Sequence, residues 1–157
     1  QTALELTMRG RVSCMFFVMR EENIRTFMRN PAVFAASDGH LRVLGKGVSH
    51  PRNYGTFPRW VGHYGRDEGL FTVEEAVRKC TSMPASKFGL HNRGALAPRM
   101  VADIVVFDAD EIIDRATFED PHQYPAGIPH VIVAGKPAVR DGEVTPDSHG
   151  RALALGG

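Results

Sequence analysis

The stretch Val12–Gly39, VSCMFFVMREENIRTFMRNPAVFAASDG, decides how the chain is organised. Val12 to Met19 has the continuous apolar character of a strand covered on both faces, which is the habit of parallel sheets. Glu21 to Asn30 then places Ile24, Phe27 and Met28 at i, i+3 and i+4, carries acids in its first turn and stops at Asn30-Pro31, so an amphipathic helix is predicted. Ala32 to Ser37 follows as a second short apolar run. Strand, helix, strand is the pattern of a parallel sheet with a right-handed crossover. Upstream, TALELTM reads as the end of another amphipathic helix feeding the first strand. With Gln1 rather than methionine in first place, the chain is expected to begin in the middle of a domain.

Beyond that stretch, Gly39 to Tyr54 is polar, rich in glycine and broken by Pro51, too long for a plain connector and so a candidate functional loop. Helices are predicted over Phe57–Gly65, with Pro58 in the first turn, and over Thr72–Thr81. The second opens on TVEE, where Thr72 can cap and Glu75 can reach back. Its positions Val73, Ala76, Val77 and Cys80 share one face. The character changes between Leu90 and Gly94. MVADIVVFD (Met100–Asp108) and HVIVAGKPAVRDG (His130–Gly142) are rich in valine and isoleucine, and the latter reads as a hairpin turning at Ala134-Gly135-Lys136. Two units are therefore expected, residues 1–92 with helices on a parallel sheet and residues 93–157 as a small antiparallel β unit.

The bulk numbers exclude several function classes. At 157 residues, 43% hydrophobic, the chain can bury an ordinary core. A formal net charge of +1 with both signs spread along the length leaves no concentrated basic patch, so no nucleic-acid partner is expected. The longest apolar run, Cys14 to Met19, is far short of the ~20 residues of a membrane helix, and no membrane partner is expected. Cys14 and Cys80 have no CxxC spacing, which argues against a disulfide framework or a zinc knuckle and makes a reducing, cytoplasmic compartment the expectation.

The best candidate for chemistry is Asp38, at the junction of the second predicted strand with the long loop. In parallel α/β sheets and (β/α)8 barrels the reacting groups sit where strands end and loops gather. Asp-Gly is equally a good turn dipeptide, and the residues alone leave both readings open. His63, His91, His122 and His130 have no HxH or HExxH spacing and read as packing or surface groups, while His40 and His50 flank the loop.

Three segments carry a resemblance that adds to this reading. SDG (Ser37–Gly39), HPRNYGTFPRWVGHYGRDEGLFTVEEAVRKCTSMPASKFGL (His50–Leu90) and the run from Arg93 to Glu143, with RATFEDPHQYP inside it, resemble the C-terminal third of N-acyl-D-amino-acid deacylases, or D-aminoacylases, of the amidohydrolase superfamily. The resemblance implies a zinc-bearing (β/α)8 barrel beside a small β-sandwich built from both chain ends. Residues 1–92 would be the last part of the barrel and 93–157 the C-terminal share of the sandwich. It implies that Asp38 takes a proton from a zinc-bound water and passes it to the leaving amine, a task suited to a carboxylate beside a metal that lowers the pKa of its water to ~7. It also implies that Arg52 holds the carboxylate of the N-acyl-D-amino acid, in the two-point grip a planar guanidinium allows. Phe16 and Met19 fall where family members line the side-chain pocket, with plain barrel core as the other reading, and Tyr54 beside Arg52 is a further candidate.

The zinc ligands of the family, an HxH, a cysteine and further histidines, precede the matched part, and none transfers to a residue of this chain; Cys14 does not match that cysteine. The expectation is thus zinc-dependent hydrolysis of N-acyl-D-amino acids as part of a longer enzyme, with the chain alone inactive and its apolar strand faces uncovered until a missing N-terminal barrel half or a partner chain joins it. Alternatives are a non-catalytic split subunit or remnant that pairs with a metal-bearing polypeptide, and a binding or assembly module in which only the sandwich matters.

Overall fold

The computed structural model describes residues 2–10 and 17–153. Its first part is helical: α1 (Thr2–Met8), α2 (Glu21–Arg29), α3 (Arg52–Arg59) continuing into a π-helix (Trp60–Asp67), α4 (Val73–Cys80) and α5 (Ser82–Lys87). Among the described residues one antiparallel sheet follows, β1 (Ile104–Val106), β2 (His130–Val133), β3 (Lys136–Arg140) and β4 (Glu143–Val144), its four strands in sequence order.

The helices form where their ends are sealed. At α4 the Thr72 side chain accepts the Glu75 N–H at 3.2 Å, as TVEE predicts. The Glu75 carboxylate does not reach back, because Arg78 one turn on forks onto it at 2.7 and 2.8 Å. The helix predicted over Phe57–Gly65 is longer at both ends, and Pro58 lies inside it rather than in its first turn. The ladder widens directly after Pro58, which lacks an N–H and crowds the turn before it. In the wide turn the Glu68 N–H reaches back to the His63 carbonyl at 2.9 Å.

The predicted parallel strands are not borne out. Of Val12–Met19, residues 12–16 lie outside the described residues, and Phe17, Val18 and Met19 are exposed and in no strand. Ala32 lies in a turn and 33–37 have no regular secondary structure and join no ladder; the Ala35 N–H bonds instead to the Lys79 carbonyl at 3.1 Å. A strand exists only against a neighbouring strand, and among the described residues none lies beside this run.

The hairpins follow the sequence closely. Val133 pairs with Lys136, so Ala134-Gly135 is the turn, and both residues have positive φ (51° and 80°), the geometry of a turn that matches strand twist. Asp141-Gly142 repeats it between β3 and β4, at 52° and 82°. Val131 faces Val139 and Ile132 faces Pro137, which leaves Ala138 as a bulge beside the strand proline.

The core crosses the change of character near Leu90–Gly94. Met28, Ala35, Trp60, Val61, Tyr64 and Ala76 from the helical part cluster with Ile112, and Phe107 and Ile128 pack against them. Two glycines allow this. A Cβ on Gly55 would meet the Asp114 Cβ at 2.6 Å, and one on Gly62 would fall on the Ile112 carbonyl oxygen. The helix therefore lies directly on the 112–114 backbone. Arg66 secures the same seam by donating from Nη1 to the carbonyls of Ala109, Asp110 and Ile112 at 3.2, 2.9 and 3.0 Å.

Candidate active site

Asp38 and Arg52 are brought together across the intervening loop. An Arg52 Nη2 lies 2.9 Å from an Asp38 carboxylate oxygen. Asp38 has φ 47°, in the left-handed region that a non-glycine residue enters at a cost of order 1 kcal/mol or more. The turn around it is fixed from both sides. Ser37 Oγ accepts the Gly39 N–H at 3.1 Å, and a Cβ on Gly39 would sit 3.5 Å from the Arg52 carbonyl oxygen and the Asn53 Cα, so α3 begins against this turn.

The loop is closed by polar bonds that spacing alone does not announce. Asn53 accepts the His40 N–H through Oδ1 at 2.8 Å and donates through Nδ2 to Ser49 Oγ at 2.8 Å, with Ser49 buried. His50 Nδ1 accepts the Arg52 N–H at 3.1 Å, which fixes the neutral ring with its proton on Nε2. Burial first, and the Arg52 charge second, push the His50 pKa below its ordinary value, against a smaller opposing pull from Asp38. His50 therefore stays uncharged at neutral pH.

Tyr54 pairs with His122. Its hydroxyl lies 3.0 Å from His122 Nδ1, and His122 Nε2 lies 2.8 Å from the Gly47 carbonyl oxygen. A carbonyl only accepts, so Nε2 carries the proton and Tyr54 donates to Nδ1. Phe118, in the same FEDPHQYP segment, meets His50 and Phe17 edge-on at 5.1 and 4.8 Å, and Tyr124 meets Tyr54 at 5.9 Å. The segment thus braces the loop that carries the site. Met19 is 64% exposed, and Phe16 lies outside the described residues.

What this arrangement can do chemically is limited and specific. A carboxylate, 82% exposed at its side chain, can exchange protons with an approaching molecule, and a guanidinium beside it can bind an anion. Arg52 uses one nitrogen on Asp38, while its Nε is buried and without a hydrogen-bond partner. Among the described residues no group of three or more His, Cys, Asp or Glu could hold a metal ion. These side chains by themselves do not make a zinc centre.

Asn53, Ser49 and His122 are the residues that sequence reasoning passed over. Asn53 adjoins the HPR motif and was findable by its place; His122 meets a partner 68 positions away and had no local signal.

Comparison with known proteins places the chain in a family. The amidohydrolase family model matches residues 5–139. The chain is 41% identical over 140 residues to the D-aminoacylase of Alcaligenes xylosoxydans xylosoxydans, covering 89% of this chain and 28% of that one. A solved D-aminoacylase, described with a binuclear metal centre, superposes with a TM-score of 0.81 at 42% identity over 88% of this chain and 28% of that one. The N-acyl-D-glutamate deacylase of Bordetella bronchiseptica, solved with zinc and a phosphonate mimic of the tetrahedral intermediate, superposes at 0.72 with 38% identity over 76% of this chain and 25% of that one. The chain spans just over a quarter of the length of these relatives, and its fold is that of a portion of the D-aminoacylase barrel protein. With most of its length matched by the family model and by a relative at 41% identity, the chain belongs to the amidohydrolase family.

Proposed function

We propose that the chain is the C-terminal portion of a zinc-dependent hydrolase that cleaves N-acyl-D-amino acids to a carboxylate and a D-amino acid. Residues 1–92 would close its (β/α)8 barrel and residues 93–157 complete its β-sandwich. The observation that carries the reading is the Asp38–Arg52 pair, 2.9 Å apart where the run 33–37 meets the long loop. The zinc ion, with ligands supplied from outside this chain, would polarise the scissile amide and acidify water.

The residues of this chain do the rest. Arg52 takes the substrate carboxylate through the Nη groups of its guanidinium, a two-point hold that orients the stereocentre. The substrate competes with Asp38 for the guanidinium, and an exposed ion pair of this kind opens at a cost of roughly 1 kcal/mol or less. Asp38, released, accepts the proton of the attacking water at a carboxylate oxygen and returns it to the leaving nitrogen. Tyr54, braced by His122, keeps Arg52 and its helix in place. By likeness to the family, Phe16 and Met19 are assigned to the substrate side-chain pocket, and their apolar character favours D-methionine-like or D-leucine-like substrates. A panel of N-acyl-D-amino acids on the complete enzyme contradicts that preference if N-acyl-D-glutamate is best by a wide margin.

The test of the central reading is Asp38→Asn in the complete, zinc-loaded enzyme. It removes turnover while zinc content and melting temperature stay near wild type; near-normal turnover refutes the role. Arg52→Lys costs ~1–3 kcal/mol of substrate binding, a rise in KM of roughly 5- to 150-fold. An unchanged KM counts against the clamp.

A second reading, a non-catalytic split subunit or remnant that serves assembly, is favoured by one observation. Phe17, Val18, Leu41 and Val48 are 77, 77, 103 and 74% exposed, a surface suited to burial against another polypeptide. Turnover by the assembled, zinc-loaded protein that vanishes with Asp38→Asn decides for the hydrolase.

A further inference from the structure

Lys79 is a charged side chain, 1% exposed, whose bonded partners are main-chain carbonyls. Its Nζ donates to Met28 at 2.9 Å, Asn30 at 2.6 Å and Val33 at 2.9 Å. An ammonium has three protons, and each has an acceptor. Its own carbonyl accepts the Ala35 N–H at 3.1 Å. One residue of α4 thus holds the chain at positions 28, 30, 33 and 35, from the end of α2 to within three residues of Asp38.

A cation at a helix C-terminus is a common cap, and Met28 alone would be explained that way. Asn30 is the residue that caps α2, and Val33 lies beyond the following turn, at the start of the run 33–37 itself. That run has no strand partner among the described residues; its main-chain bonds go to α4, while Phe34 packs edge-on against Phe88 and Ala35 enters the core. At its far end Asp38 sits at φ 47°, a conformation that persists only where the surroundings impose it. An apolar side chain would fill the same space without the desolvation cost of a charge, and would leave carbonyls of this run unbonded.

We infer that Lys79 is a positioning residue for Asp38, holding the run 33–37 so that the carboxylate is presented beside Arg52. The inference rests on the reading of Asp38 as the proton carrier.

The experiment compares Lys79→Met, Lys79→Gln and Asp38→Asn in the complete, zinc-loaded enzyme. Lys79→Met lowers kcat per bound zinc by about 10- to 100-fold, the penalty of a displacement of order 1 Å, and shifts the acid limb of the kcat–pH profile. KM stays within about twofold, because Arg52 is carried by α3 and not by the held run. Lys79→Gln, which keeps an N–H donor, recovers part of the loss. A lower melting temperature with kcat per zinc and pH profile unchanged makes Lys79 a stability residue only and overturns the inference. Failure of both variants to accumulate as folded, zinc-loaded enzyme overturns it in the same way. Normal turnover by Asp38→Asn is a different failure: the base reading falls, and the role of Lys79 falls with it.

Discussion

Gly62 and Gly65 occupy the same π-helix, and replacing each by alanine should move stability in opposite directions. Alanine is worth ~0.5–1 kcal/mol over glycine in a helix interior, so propensity alone stabilises both variants. At Gly65 the new methyl meets the Phe71 ring and the Trp60 carbonyl oxygen at 3.5 Å and the Ala76 Cβ at 3.6 Å, which is ordinary contact. The propensity gain is kept there. At Gly62 the methyl falls on the Ile112 carbonyl oxygen and lies 3.0 Å from its carbon and 3.3 Å from the Ile113 Cα. Backbone cannot swing aside as a side chain can. This backbone is also bonded, for Arg66 donates to the Ile112 carbonyl at 3.0 Å and the Ile112 N–H donates to Asp108 at 2.9 Å. Overpacking costs ~1–3 kcal/mol and a lost charge-assisted hydrogen bond ~1.5–3 kcal/mol, so Gly62→Ala is destabilising by about 2–5 kcal/mol after the propensity gain. Urea unfolding followed by circular dichroism, with slopes checked for equality, gives both values. Equal midpoints for the two variants would refute the direct seating of the helix on Ile112.

Other perturbations test the brace and the charge network. His122→Ala removes the acceptor of the Tyr54 hydroxyl and the donor to Gly47, so tryptic cleavage at Arg42 and Lys46 accelerates several-fold; an unchanged rate means that the brace does not hold the loop. Glu68 has a pKa held below the usual carboxylate range, first by the hydrogen bonds from Arg25 at 2.6 and 2.7 Å. A depressed folded pKa contributes stability above the unfolded value of ~4.3 that is lost as pH falls through the folded value. Glu68→Gln therefore lowers stability at neutral pH and flattens its loss below about pH 4. An acid unfolding profile that keeps the wild-type shape contradicts the pairing.

Elements governed by nearby residues were legible in the sequence. Glu21–Arg29 shows its period and its acidic first turn, Thr72 shows its cap, and Ala134-Gly135 shows a turn that only positive φ can make. The irregular run 33–37 was not, because a strand is defined by a neighbour and the sequence shows only an apolar segment. The π-helix was missed for a related reason. A period read over Phe57–Gly65 assumes a constant pitch, and the polar start RNYGT with its glycine argues against helix although Gly55 is what lets Asp114 approach. At the candidate site Asp38 was found by position and Arg52 by likeness to a family. The partners of Lys79 are 46 to 51 positions away, and its sequence context is that of a solvated cation in the last turn of a helix.

The FEDPHQYP segment lies past β1 in the chain, yet it grips the loop that follows Asp38 through His122, Phe118 and Tyr124. Order along the chain and order of construction therefore differ. A graft of residues 38–54 onto another amidohydrolase would bring the Asp38–Arg52 pair without its buttress, and the two segments have to travel as one cassette. The same contact couples positions 54 and 122 across 68 residues of chain, so a change in the ring at 122 removes the acceptor of the Tyr54 hydroxyl.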